Sequence, residues 1–335
     1  MNKTLHKITP LISVCLLIAA GWFLYKETQK TTLEAVIEQI RAIPARSVVM
    51  ALILVIVNYA VLSMFDTLAF FYIGHPMPFR RTLLMGFICH AFGNSIGSTL
   101  VTGGSMRLRF YTTWGLSVID IGKVVVFCGL TFWIGLAAVG GVAFVADPLP
   151  LPKLTYLPLS NVRPIGVVML AILTAYLLLS FFFRGSFKIR DKKIDFPSGP
   201  VALFQTLAGA VDLLTISGVF YSVLPVSRYM PDMTYPMFLG YFMVAFMIAT
   251  STLIPGGLGV FDYIMIWFLS RHTSSAHAIL FGALIVYRAL YFLLPLCAGM
   301  ATLAWAEHHY HISPRKIVPG PSPPRGPDVK ENHAT

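Results

Sequence analysis

The chain has 335 residues, of which 56% are hydrophobic and 12% charged, against about a quarter charged in an average soluble domain. Such a composition excludes a water-soluble globular protein and predicts an all-α polytopic membrane protein. The net charge of +11 comes largely from basic residues in short segments between apolar runs, a pattern of membrane topology and anionic lipid contact rather than of nucleic-acid binding.

Residues 1–26 begin with Lys3 and Lys7 and run into an apolar stretch, 10–25, with no clean cleavage site of small residues. They read as a retained first membrane helix. Residues 27–46 are more polar, and Leu33, Val36, Ile37 and Ile40 recur at a spacing that suits a helix lying on the membrane surface. Apolar runs follow at 47–72, 117–146, 163–183, 200–224 and 274–305, each of about 20 residues or more, the length that crosses a bilayer. The segment 306–335 is predicted to be a disordered tail, since it holds six prolines in the 23 residues from Ser313. The cysteines (Cys15, Cys89, Cys128 and Cys297) all lie in apolar runs without a C-x-x-C pair. They read as small hydrophobes, not as metal or redox centres.

Two other runs break. Residues 79–97 lead into STLVTGG and a short predicted helix, 105–115, whereas 235–250 lead into STLIPGG and a short predicted helix, 258–270. Ser98-Thr99-Leu100 and Gly103-Gly104 recur 153 residues later (251 − 98) as Ser251-Thr252-Leu253 and Gly256-Gly257. Each motif follows a membrane helix with one acid, Asp66 or Asp212, and precedes a long helix. The pattern predicts two membrane repeats, 47–146 and 200–305, joined by 147–199. With Lys3 and Lys7 inside, the basic segment RGSFKIRDKK becomes cytoplasmic, as do both termini. The two broken runs then enter as re-entrant hairpins from opposite faces, which makes the repeats inverted.

A helix broken inside lipid leaves unpaired backbone groups, so such a break belongs in a protein-lined cavity. Gly103, Gly104, Gly256 and Gly257 allow the turns, Pro255 stops the incoming helix, and Ser105 is placed to cap the outgoing one. Helix N-termini meeting at mid-membrane favour an anion. Arg107 and Arg109 sit unfavourably in a first helical turn unless an anion joins them, most simply a phosphate. Being two apart they point to different sides of a helix, and Arg107, nearer the tip, is expected to face the cavity. Snorkelling of both to lipid phosphates is the plainer alternative.

Asp212 and Arg288 lie too deep to snorkel and read either as substrate contacts or as a structural pair with each other. Asp262 suits the first turn of its helix, and Asp66 and Lys123 read as structural. His90 and Asn94 precede the first tip one turn apart and are weaker candidates for the cavity wall. No catalytic constellation, cofactor motif or metal site is expected, and EHHYH at 307–311 has no fixed loop to hold a metal.

TGGSMRLRFYTTWGLS (102–117), FCGLTFWIGL (127–136) and PGGLGVFD (255–262) resemble the membrane region of the lysylphosphatidylglycerol synthase/flippase family, over roughly residues 45–305. The resemblance implies lipid translocation around the glycine motifs in a bacterial inner membrane. The chain stops soon after the last apolar run, so the resemblance is to the stand-alone form without the soluble aminoacyl-transferase domain, and no lysyl transfer is expected. Where the family often carries Glu, this chain carries Asp262, which keeps the charge and shortens the reach. The leading expectation is therefore a non-enzymatic lipid transporter or flippase. Its expected ligand is a membrane lipid, an anionic phospholipid, held by the four motif glycines with Ser105, Arg107, Arg109, Asp212, Pro255, Asp262 and Arg288. The alternative is an accessory protein of lipid or glycolipid synthesis that binds a lipid without moving it. A second copy of the chain and a lipid-synthesis enzyme stand as candidate partners, and nucleic acid does not.

Overall fold

A computed structural model describes residues 33–75, 77–96, 102–149, 161–183, 186–189, 192–252, 254–272 and 276–310. The expected first helix at 10–25, the motif residues Ser98, Thr99, Leu100 and Leu253, most of the 147–162 connection and the tail beyond Tyr310 lie outside the described residues.

The architecture is all-α and polytopic. In chain order the helices are α1 (Leu33–Arg41), α2 (Ala45–Ile73), α3 (Phe79–Ile96), α4 (Thr102–Thr113), α5 (Val118–Ala146) and α6 (Arg163–Phe182). A two-stranded antiparallel hairpin, β1 (Ser186–Ile189) with β2 (Lys192–Asp195), precedes α7 (Gly199–Val223), the single-turn α8 (Val226–Tyr229) and α9 (Tyr235–Ser251). Beyond a 3-10 turn at Pro255–Gly257 come α10 (Val260–Leu269), α11 (Ala276–Arg288) and α12 (Leu294–His309). Among the described residues five helical stretches are long and apolar enough to cross a membrane: α2, α5, α6, α7 and the α11–α12 unit from Ile279 to His309. By contrast α4, with 12 residues, and α10, with 10, extend only about 18 and 15 Å at about 1.5 Å per residue.

Local chemistry sets the ends. Gly74 closes α2 in the left-handed conformation at φ 67°, where glycine carries no Cβ penalty. The Ser117 hydroxyl accepts the Asp120 N–H and caps α5. Proline falls in the first turn of α6, α7 and α9, where its missing N–H costs no helical bond.

The last long helix is not continuous, contrary to the single run read from the sequence. Ala289–Leu293 widen into a π turn. Pro295 supplies the cause, since it offers no N–H and its ring crowds the carbonyl four residues back. That carbonyl, of Tyr291, accepts a hydrogen bond from Tyr59 Oη at 3.1 Å, and the Phe292 carbonyl accepts one from Ser95 Oγ at 3.0 Å. Side chains of α2 and α3 thus satisfy backbone groups that the break would leave bare in lipid.

α2 and α7 pack together at the centre, and α5 crosses α7 at Gly135 and Gly209. A Cβ on Gly135 would stand 2.3 Å from the Gly209 carbonyl carbon, and one on Gly209 would stand 2.5 Å from the Thr131 carbonyl oxygen. Only hydrogen fits, which is how small residues let membrane helices approach closely. α6 sits at the periphery, with only Gly166 and Ser180 buried. Its exposed Val167, Val168, Ile172, Leu178 and Leu179 form a surface suited to lipid. Cys89 and Cys128 are buried as expected, whereas Cys297 lies exposed on α12.

Candidate functional site

The two broken runs differ locally, although their sequences match. α4 already begins at Thr102, so Gly103 and Gly104 lie inside its first turn and not in the connecting turn expected of them. Ser105 therefore sits within the helix rather than at its cap. Gly256 and Gly257 do make a turn, both in the left-handed region at φ 58° and 60°, with Pro255 opening the 3-10 segment. The lower helix propensity of glycine explains the sequence reading, but four residues of context outweigh it: Met106–Arg109 continue a good helix.

Arg107 on α4 is fully buried and binds Asp66 on α2 in two-pronged fashion. Its Nε donates to Oδ1 at 2.7 Å and its Nη2 to Oδ2 at 2.6 Å. Tyr111 Oη also donates to Asp66 Oδ1 at 2.8 Å, and His90 Nε2 lies 3.5 Å from Arg107 Nη2. An ionised pair removed from water persists only with this degree of hydrogen bonding. The first half of the site is therefore a neutralised cation, which corrects the expectation of an arginine waiting for an anion.

The second half repeats that chemistry with the partners redistributed. Arg288, at the end of α11, donates from Nε to Asp262 Oδ1 at 2.9 Å and from Nη2 to Oδ2 at 2.7 Å. Its Nη1 also reaches the Gly256 carbonyl at 3.3 Å. Asp262 Oδ2 accepts the Gly259 N–H at 2.8 Å, so the chain's own carboxylate occupies the start of α10. The alternative in which Asp212 pairs with Arg288 is overturned.

Asp212 lies midway along α7, 5% exposed. Asn58 Nδ2 on α2 is within hydrogen-bonding distance of Asp212 Oδ1 (2.8 Å), the Asp212 carbonyl (2.9 Å) and Thr215 Oγ1 (2.8 Å). Tyr291 Oη donates to Asn58 Oδ1 at 3.1 Å, which orients the amide. Among the described residues no cation lies within ion-pairing distance of Asp212.

A cavity of about 280 Å³ joins these parts. Arg107, Asp212, Gly256 and Gly257 all line it, together with His90 and Asn94. Leu62, Phe65, Cys128, Phe132, Ile216, Phe246, Phe261, Tyr287, Tyr291 and Phe292 supply a mostly apolar and aromatic wall. The lining extends to Trp133 on α5, 53% exposed, close to where Phe132 packs against Phe246 of α9 at a ring separation of 5.9 Å.

Other expected residues lie elsewhere. Arg109 pairs with Glu307 on α12, beside a surface cluster in which the Arg81 guanidinium stands over Trp114 and Tyr310. It points away from the cavity because it lies two positions from Arg107 on one helix. Gly103, Gly104 and Ser105 do not line the cavity, while Asp262 and Arg288 lie behind Gly256 and brace it. Lys123 pairs with Asp120 at 2.8 Å, as a structural role requires. Asp66 does more than the structural part expected of it, since it neutralises the cavity arginine. The sequence reading missed Asn58, Tyr111, Thr215 and Tyr291. Of these only Asn58, an amide in the middle of an apolar run, carried a signal.

The chain is 34% identical over 322 residues to the uncharacterized protein slr0712 of Synechocystis sp., covering 95% of this chain and 98% of that one. It is also 32% identical over 249 residues to the inner membrane protein YbhN of Escherichia coli, covering 74% of this chain and 76% of that protein. This chain belongs to their family. No family model matches it. Together with the five candidate spans, the kinship makes this a multi-pass protein of the bacterial inner membrane.

Proposed function

We propose that the protein is a non-enzymatic lipid transporter that takes the headgroup of a phosphate-bearing, anionic phospholipid into the central cavity and passes it between leaflets. The observation that carries this reading is the position of the cavity. Arg107 reaches it from the α3–α4 pair and Gly256–Gly257 from the α9–α10 pair, and its lining continues to the exposed Trp133. A headgroup entering there could leave its acyl chains in the bilayer. In this reading both broken pairs are re-entrant, entering from opposite faces with the termini cytoplasmic, since α4 and α10 are too short to cross. Each repeat then supplies one gate, as alternating access requires. The resemblance to the lysylphosphatidylglycerol synthase/flippase membrane region supports the same assignment.

Reconstitution tests it. Vesicles carrying the purified protein and tail-labelled fluorescent phosphatidylglycerol are expected to move label between leaflets faster than protein-free vesicles. Mass spectrometry is expected to find phospholipid retained after gentle detergent extraction. Retained phospholipid without movement would favour the accessory, non-transporting role. Neither retention nor movement would overturn the lipid assignment.

A further inference from the structure

The charges around the cavity do not balance for an anion. Arg107 is neutralised by Asp66 and Arg288 by Asp262, so the arginines bring no net positive charge. Asp212 adds a carboxylate with no cation partner among the described residues. A phosphate placed beside an ionised Asp212 in a poorly hydrated cavity would meet like-charge repulsion with little screening.

The hydrogen bonding around Asp212 is short of donors. Asn58 Nδ2 stands 2.8–2.9 Å from three oxygens, Asp212 Oδ1, the Asp212 carbonyl and Thr215 Oγ1, yet an amide has two hydrogens to give. The Thr215 hydroxyl is itself committed to backbone carbonyls, with Val211 O at 2.6 Å. One amide hydrogen on Oδ1 is thus the only donor to the Asp212 carboxylate seen among the described residues, and a proton on the carboxyl would remove a charge so sparsely compensated.

We propose that Asp212 is a proton-binding site whose protonation admits the lipid phosphate to the cavity, so that proton and anion bind together. The proposal rests on the reading of the cavity as a phospholipid headgroup site. The proton comes from water and adds to a carboxylate oxygen, with no other bond made or broken. Other titratable groups nearby do not supply the effect. Tyr59, Tyr287 and Tyr291 are neutral near pH 7. α9 has no charged residue, α6 has only Arg163 at its end, and Asp120 and Lys123 of α5 pair with each other. His90 also lines the cavity, next to Arg107, and needs a control.

The test measures binding of dihexanoyl phosphatidylglycerol to the full-length protein in detergent, by tryptophan fluorescence from pH 5 to pH 9, for the wild type and Asp212→Asn. The phosphodiester keeps one charge throughout. Obligatory coupling predicts that wild-type affinity falls about tenfold for each pH unit above the Asp212 titration. Asp212→Asn, an isostere of the protonated acid, should bind at the low-pH wild-type affinity at every pH. A wild type indifferent to pH would overturn the coupling, and so would a variant that keeps the wild-type slope, which would point to His90. Loss of binding in the variant at every pH would also overturn it, since the carboxylate itself would then be a headgroup contact, as for an amine. Infrared titration of the lipid-free protein separates the two readings. A protonated-carboxyl band that vanishes in Asp212→Asn, with no phosphatidylglycerol bound at any pH, would keep the proton site and overturn the lipid assignment. Absence of that band throughout the range would overturn the proton site whatever binds.

Discussion

Arg107 and Asp66 hold each other through two parallel hydrogen bonds, at 2.7 and 2.6 Å, with side chains 1% and 0% exposed. Neither charge has water to fall back on. Breaking a buried pair from one side costs about 3–5 kcal/mol, because the other charge is left uncompensated. Arg107→Gln and Asp66→Asn should therefore each lower thermal stability sharply in detergent. The double variant should be more stable than the sum of the two losses predicts. Strict additivity in that cycle would mean that the pair is not coupled as the geometry requires.

Arg288 and Asp262 have the same two-pronged geometry but are 19% and 4% exposed. Partial solvation softens the loss of a partner. Arg288→Gln should accordingly lower the melting temperature less than Arg107→Gln does. A larger drop for Arg288→Gln would show that its bond to the Gly256 carbonyl, at 3.3 Å, matters more to the fold than burial suggests.

The matched motif glycines should respond oppositely to alanine. Gly257 has φ 60°, and a Cβ there would lie 2.8 Å from the Ala249 Cβ. The left-handed conformation alone costs about 1–2 kcal/mol for a residue with a Cβ. Gly104 is helical, and its Cβ would meet Val125 Cγ2 at an ordinary 3.8 Å. Gly257→Ala should be destabilised, while Gly104→Ala should be neutral or stabilised by up to about 1 kcal/mol from helix propensity. Parallel thermal melts decide the point, and equal losses would remove the local difference between the motifs.

α6 is a 20-residue helix between Val162 and Phe183, long enough at about 1.5 Å per residue to cross the hydrocarbon core. Single cysteines at Asn161 and Lys192, in a cysteine-free background, should therefore react with an impermeant maleimide from opposite faces, Lys192 from the cytoplasm. Labelling from one face would remove α6 as a span and the inverted arrangement with it.

Hydropathy and length were enough to read the membrane class, the two broken runs and, among the described residues, the ends of α2, α5, α6 and α7 to within a few positions, because both signals act locally and lipid permits few alternatives. The sequence by itself also placed Arg107 and Asp212 on the candidate list, since a charge inside an apolar run stands out whatever the fold. Tertiary structure alone decided what those charges do. Arg107 meets Asp66 from 41 residues away and Arg288 meets Asp262 from 26, and no local pattern encodes which acid lies opposite which base once the helices pack. The break after Arg288 depended likewise on Tyr59 and Ser95 reaching across from other helices to satisfy its carbonyls. Asn58 was visible as an isolated amide, but its place at 2.8 Å from Asp212 exists only because α2 and α7, far apart in the chain, pack against each other at that level. The matched glycines diverged for the same reason: φ at Gly257 is set by a turn against Ala249, whereas Gly104 was free to join its helix.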